Sequence, residues 1–164
     1  MSEQSSTQSS TSIKELADIT IDRLTIDQQE GFRGVTQPVS VCIFGTNAAT
    51  AANYTAPFFI ADRPYEVLWS MERHETAGTS GSAVTVMLKK VPSGTAPASG
   101  VDVWTAGLSL KATINTNQQA VISQNRTTAI YNRRLSRGDS LSLVTTGTLT
   151  AVAGVTVSVL LRSL

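Results

Sequence analysis

Apolar side chains recur at every second position along much of this chain. Val39, Val41 and Ile43 alternate with small or polar neighbours. Tyr65, Val67, Trp69 and Met71 alternate with Glu66, Leu68, Ser70 and Glu72. Val84, Val86 and Leu88 are interleaved with Thr85, Met87 and Lys89, and Leu141 and Leu143 with Ser140 and Ser142. The final run sets Val155, Val157, Val159 and Leu161 against Thr156, Ser158, Leu160 and Arg162. A period of two is what a strand shows when one sheet face is buried and the other is wet. Leu108, Leu110, Ala112 and Ile114 read as a further inward row, Phe58 to Ile60 as another strand, and Val121 with Ile122 and Ala129 to Tyr131 as weaker strand segments.

Turn-forming stretches separate these runs. "AGTSGS" precedes Val84, "PSGTAPASG" ends the strand that follows, and Gly138 with Asp139 falls just before the Leu141 row. About eight short strands without alternating helices predict an all-β fold. The expected form is an antiparallel β-sandwich, jelly-roll-like, with an N-terminal extension. An immunoglobulin-like sandwich stays open, without the paired cysteines of a true immunoglobulin domain.

The first 35 residues differ from the rest. Residues 1–12 are almost entirely Ser, Thr, Gln and Glu, too polar to offset the entropy of ordering, and predict a flexible arm or one ordered on assembly. Ser12 with Glu15 fits a capping box that would start a short helix bearing Ile13, Leu16 and Ala17, whereas Ile19, Ile21, Leu24 and Ile26 alternate as a strand would. Periodicity leaves helix and extended chain both open here. The expected organisation is an arm over 1–35 and a sandwich over 36–164.

Composition narrows the function classes. The formal net charge is +1 and charged residues make up 15%, against about 25% in typical soluble domains. Without a basic excess, nucleic acid is not an expected partner. No basic segment leads into an apolar run at the N-terminus and no stretch of about 18 apolar residues occurs, so neither a signal peptide nor a membrane span is expected. The sequons at Asn53 and Asn125 then carry no weight.

Candidate chemistry is sparse. Cys42 is the only cysteine, excluding an intrachain disulfide, and is expected to pack as a small hydrophobe. His74 is the only histidine and reads as a solvated strand end among charges. Glu66 and Glu72 read as wet decoration of one sheet face rather than as a glycosidase pair. Ser80 in "GTSGS" lacks the spacing and following helix of a nucleophile elbow. No phosphate loop or dinucleotide fingerprint is present, so neither enzyme activity nor a cofactor or metal is expected. Arg126, Arg133, Arg134 and Arg137 form the one basic concentration. Trp69 is expected in the core. Arg137-Gly138-Asp139 reads as a turn rather than a displayed adhesive tripeptide.

The stretches "NAATAANYTAPFFIADRPYEVLWSMERHETAGTSGSAVTVMLKKVPSGTAPASG" and "LSRGDSLSLVTTGTLTAVAGVTVSVLL" resemble tailed-bacteriophage structural proteins, including capsid decoration (cement) proteins and head fibres. The resemblance spans roughly residues 40–162. It implies a virion protein on the outer surface of the capsid, a homotrimer that binds the major capsid protein and stabilises the shell. Within that implication Ile13, Leu16, Ile19, Ile21, Leu24 and Ile26 are the expected capsid or subunit contacts. The alternative is a fibre or baseplate module that binds a receptor or glycan through loops carrying Asn53, Tyr54, Trp104 or Arg133 to Arg137.

Overall fold

The computed structural model describes residues 36–44, 55–122 and 129–164. Ile13, Leu16, Ile19, Ile21, Leu24 and Ile26, together with Asn53, Asn125 and Arg126, lie outside the described residues.

Among the described residues, ten strands form two antiparallel sheets. They are β1 (Thr36–Ile43), β2 (Thr55–Ile60), β3 (Tyr65–Arg73), β4 (Thr85–Val91), β5 (Val101–Asp102), β6 (Leu108–Ser109), β7 (Gln118–Gln119), β8 (Arg134–Leu135), β9 (Ser140–Thr146) and β10 (Val155–Ser163). The first sheet runs β1-β10-β3-β7, with β8 also on β3. The second runs β2-β9-β4-β5, with β6 also on β4. The two inner faces supply one core, in which Val67, Val155, Val157, Val159 and Leu161 of the first sheet join Val86, Leu88, Leu141 and Leu143 of the second, with Val84 just before β4. This is the all-β sandwich that alternation predicts.

Most rows point as expected. In β10 every odd residue from Val155 to Leu161 is buried, and in β4 Val86 and Leu88 are buried. The row in β3 does not hold. Leu160 pairs with Trp69 while the next residue, Leu161, pairs with Val67, so Leu68 is an extra, bulged residue. A bulge of one residue reverses which side chains face inward from that point on. Tyr65 and Val67 therefore face the core, but Ser70 and Glu72 replace Trp69 and Met71 there. Trp69 and Met71 are half-buried on the outer face.

Three further expectations are corrected. Leu108 to Ile114 is not one strand. Only Leu108–Ser109 pairs with β4, Leu110 is buried after it, and the chain then turns so that Ile114 is exposed. Ala129–Arg133 is a one-turn helix, α1, instead of a strand. Cys42 is exposed, because the alternation that buries Ile43 turns its neighbour outward.

Each sheet edge is blunted. β1 carries Pro38, and β2 carries Pro57 beside a register shift. At the opposite edges the chain breaks into two-residue pieces, β7 and β8 in the first sheet and β5 and β6 in the second. Proline removes a ladder donor and very short strands offer little template, so all four edges disfavour strand addition.

Candidate functional site

The Arg137-Gly138-Asp139 tripeptide is a turn held from several sides. Gly138 has φ +89°, a left-handed conformation that glycine tolerates best. Its N–H donates to the Ala61 carbonyl at 2.8 Å, and the Ala61 N–H donates back to the Asp139 carbonyl at 2.8 Å. The Asp139 carboxylate accepts from the Ser136 N–H at 2.8 Å and lies 3.5 Å from the Lys90 ammonium. Asp139 is buried and spent on internal contacts. An adhesive aspartate would have to be free for a receptor.

Two carboxylates expected to be wet are buried, each for its own reason. Glu66 precedes the bulge and points outward, where it is covered by two guanidinium groups. Arg133, from the end of α1, forms an ion pair at 2.8 Å, and Arg162, from the cross-strand position on β10, donates a hydrogen bond to the other oxygen. This accounts for one member of the arginine concentration. Glu72 follows the bulge and points into the sandwich.

There Glu72 meets His74, which is fully buried rather than solvated. His74 Nδ1 lies 2.9 Å from Glu72 Oε1, and Nε2 lies 3.1 Å from the carbonyl oxygen of Ala112. Gln118 donates from Nε2 to Glu72 Oε2 at 2.6 Å and to the Ser109 carbonyl at 2.8 Å. Burial raises the Glu72 carboxyl above its usual range, and the hydrogen bonds from His74 and Gln118 offset part of that rise. Both side chains are sealed from solvent, so His74 and Glu72 serve as internal connectors between the end of β3 and the segment that follows β6. Among the described residues, no group of three or more His, Cys, Asp or Glu side chains is placed to hold a metal ion, and no helix is long and apolar enough to cross a membrane.

The accessible features converge instead on the outer face of the first sheet. Pro38, Leu160 and Trp69 sit side by side on β1, β10 and β3. The bulged Leu68 and the exposed Val121 extend this row, and with Trp69, Gln119, Ala120 and Ile122 they line an open hollow of about 330 Å³. Farther along the same face a second hollow of about 330 Å³ is polar, lined by Met71, Arg73, Glu75, Asn117, Thr156 and Ser158 beside Gly154. Sequence reasoning missed this surface because it assigned Trp69 to the core. The tryptophan of the core is Trp104, whose indole N–H bonds Ser70.

No family model and no curated protein matches the chain in sequence. Among solved structures, it is similar to one of Bacillus endospore appendages, described as a novel family of disulfide-linked pili. There the TM-score is 0.39 at 16% identity, covering 80% of this chain and 89% of the other. It is also similar to a chain in the structure of infectious bursal disease virus Gx strain, with TM-score 0.37 at 13% identity, covering 78% of this chain and 32% of that one. Similarities this remote carry no functional information.

Proposed function

We propose that this chain is a viral structural protein, a capsid decoration (cement) protein that binds the outside of a phage head as a homotrimer and stabilises the shell. The observation that carries this reading is the outer face of the first sheet. Its row of Pro38, Leu160, Trp69, Leu68 and Val121 gives a broad apolar strip on a domain whose four edges resist strand pairing. A partner then meets the face, and burial of apolar area there stabilises the contact at roughly 25 cal/mol per Å² of apolar surface removed from water, before the costs of association.

In this reading the sandwich is a jelly roll. The strand orders β1-β10-β3-β7 and β2-β9-β4-β5 support it, since the chain crosses between sheets from β1 to β2, β2 to β3, β3 to β4 and β9 to β10. The partners are the major capsid protein and two further copies of the chain, related by a threefold axis that closes the assembly. Ile13, Leu16, Ile19, Ile21, Leu24 and Ile26 contribute additional apolar contacts. The role is mechanical, tying shell subunits together through added interface area, without covalent chemistry or a cofactor.

Incubation of the purified chain with capsids that lack it tests this. Stoichiometric, saturable binding and a higher temperature of capsid disruption are expected. Failure to bind heads, together with saturable binding to bacterial envelopes, would replace this reading with that of a fibre or baseplate adhesion module.

A further inference from the structure

We propose that Glu72 and His74 form a proton-operated latch that fastens the segment from Ala112 to Gln118 to the end of β3, closed when the pair shares one proton and loosened when that proton leaves. The inference is independent of the capsid reading. It rests on a count of donors and acceptors. A carbonyl oxygen only accepts, so the contact from His74 Nε2 to Ala112 requires an N–H on Nε2. An amide nitrogen only donates, so Glu72 Oε2 accepts from Gln118. What remains is the 2.9 Å approach of Glu72 Oε1 to His74 Nδ1, which forms a hydrogen bond only with a proton between the two atoms. With that proton every contact is satisfied. Without it, a carboxylate faces an imidazole lone pair in a site sealed from water, and the repulsion has no solvent to screen it. A second proton is equally unwelcome, since it sets N–H against O–H and leaves a buried cation.

The latch acts on a defined element. The Asn115 N–H donates to the His74 carbonyl at 2.8 Å, and Arg73 reaches the Asn115 side chain at 3.3 Å. Asn115 itself holds φ +57°, the left-handed region, which asparagine enters more readily than most residues. Asn117 of the same segment forms a wall of the polar hollow, so loosening reaches the outer face. The charged side chains nearest in the chain are Arg73 at the end of β3, Glu75 just after it and Lys111 after β6. Arg73 and Glu75 point to solvent, and Lys111 is occupied by the carbonyl oxygens of Ser80 and Ser82. The residues packed here just before and at the start of β10, Ala153 to Val157, carry no charge.

His74 is the sole histidine, so its ring nitrogens are read in the intact chain by long-range proton–nitrogen NMR without assignment ambiguity. At the acid end of the pH range over which the chain stays folded, the spectrum should show a proton on Nε2 and a hydrogen-bonded Nδ1, and raising the pH across that range should move the Nδ1 signal toward that of a bare lone pair. Amide exchange at Asn115, corrected for intrinsic rates, should then accelerate by about tenfold or more. In Glu72→Gln an amide N–H replaces the mobile proton while the side-chain oxygen still accepts from Gln118, so both readouts should become insensitive to pH. A wild-type spectrum and exchange rate that do not change over this range would overturn the latch. So would an unchanged pH response in Glu72→Gln. Should that variant not fold, the wild-type ring spectrum decides alone.

Discussion

Trp104 donates its indole N–H to the hydroxyl oxygen of Ser70 across 2.5 Å in the interior of the sandwich. Both residues are fully buried. Ser70 can receive that bond only because the bulge at Leu68 has turned it inward. Replacing Ser70 with Ala leaves a buried indole N–H without an acceptor, which costs about 1–3 kcal/mol. Urea denaturation of Ser70→Ala should show that loss with an unchanged dependence on denaturant. A change within about 0.5 kcal/mol would mean that the indole finds another partner.

Glu66 holds Arg133 of α1 and Arg162 of β10 on one carboxylate. The Arg133 contact has the geometry of an ion pair rather than an aligned hydrogen bond. Arg162 is 44% exposed, so solvent screens part of the interaction. Glu66→Ala should cost about 1–3 kcal/mol and release α1 from β3, because two guanidinium groups are left adjacent without their anion. Loss of hydrogen-exchange protection at the α1 amides, beyond that expected from the global change in stability, is the measurement that checks it.

Strands that run without irregularity were legible in the sequence, as β4, β9 and β10 are, since Val86, Leu88, Leu141, Leu143 and the odd residues of β10 all face inward as alternation requires. The turn at Gly138 was legible too, from residues whose conformational and hydrogen-bonding habits are local. What escaped depends on long-range pairing. A bulge at Leu68 has no composition signature, yet it exchanges Trp69 and Met71 for Ser70 and Glu72 in the interior, and carries His74 inward with them. The outer-face strip follows from the same reversal, so neither it nor the buried acid–imidazole pair could be read from periodicity. Cys42 is different, since its outward position follows from the alternation of Val41 and Ile43 once that pattern outweighs the general tendency of cysteine to be buried. The apolar residues between Ile13 and Ile26 fall outside the described residues.

Burial holds the Glu72 carboxyl above its usual range, so the folded chain binds this proton more tightly than the unfolded chain does. The sign follows from linkage. The contribution of Glu72 to stability is present in full below its ordinary value of 4.5 and declines as the pH rises through the raised value. The difference in unfolding free energy between wild type and Glu72→Gln should therefore shift in favour of the variant as the pH is raised from acid toward neutral and beyond. Parallel stability curves for the two proteins would contradict this.

Gly138 takes φ +89° in the turn that presents Arg137 and Asp139, a region where a Cβ is strained. Gly138→Ala should lower stability by about 1–2 kcal/mol. Because Asp139 of the tripeptide is buried and held by the Ser136 N–H and Lys90, the intact protein should show no saturable binding to receptors that recognise an exposed Arg-Gly-Asp peptide. Binding that a free peptide competes away would contradict the turn assignment.

The proposed homotrimer is open to a direct check in solution. Light scattering on the full chain of 17.4 kDa should report about three times the monomer mass at micromolar concentration. A monomer at that concentration would contradict it.

The most direct measurement concerns the strip on the first sheet. Trp69→Ser with Leu160→Ser places two small polar side chains on the outer face, where both residues are already half-exposed, so the domain should keep its fold and most of its stability. Co-sedimentation with capsids lacking the protein should then show stoichiometric binding for wild type and a loss of affinity of about a hundredfold for the double variant, the scale of two buried anchor residues. Undiminished binding by a correctly folded double variant would contradict docking through this face.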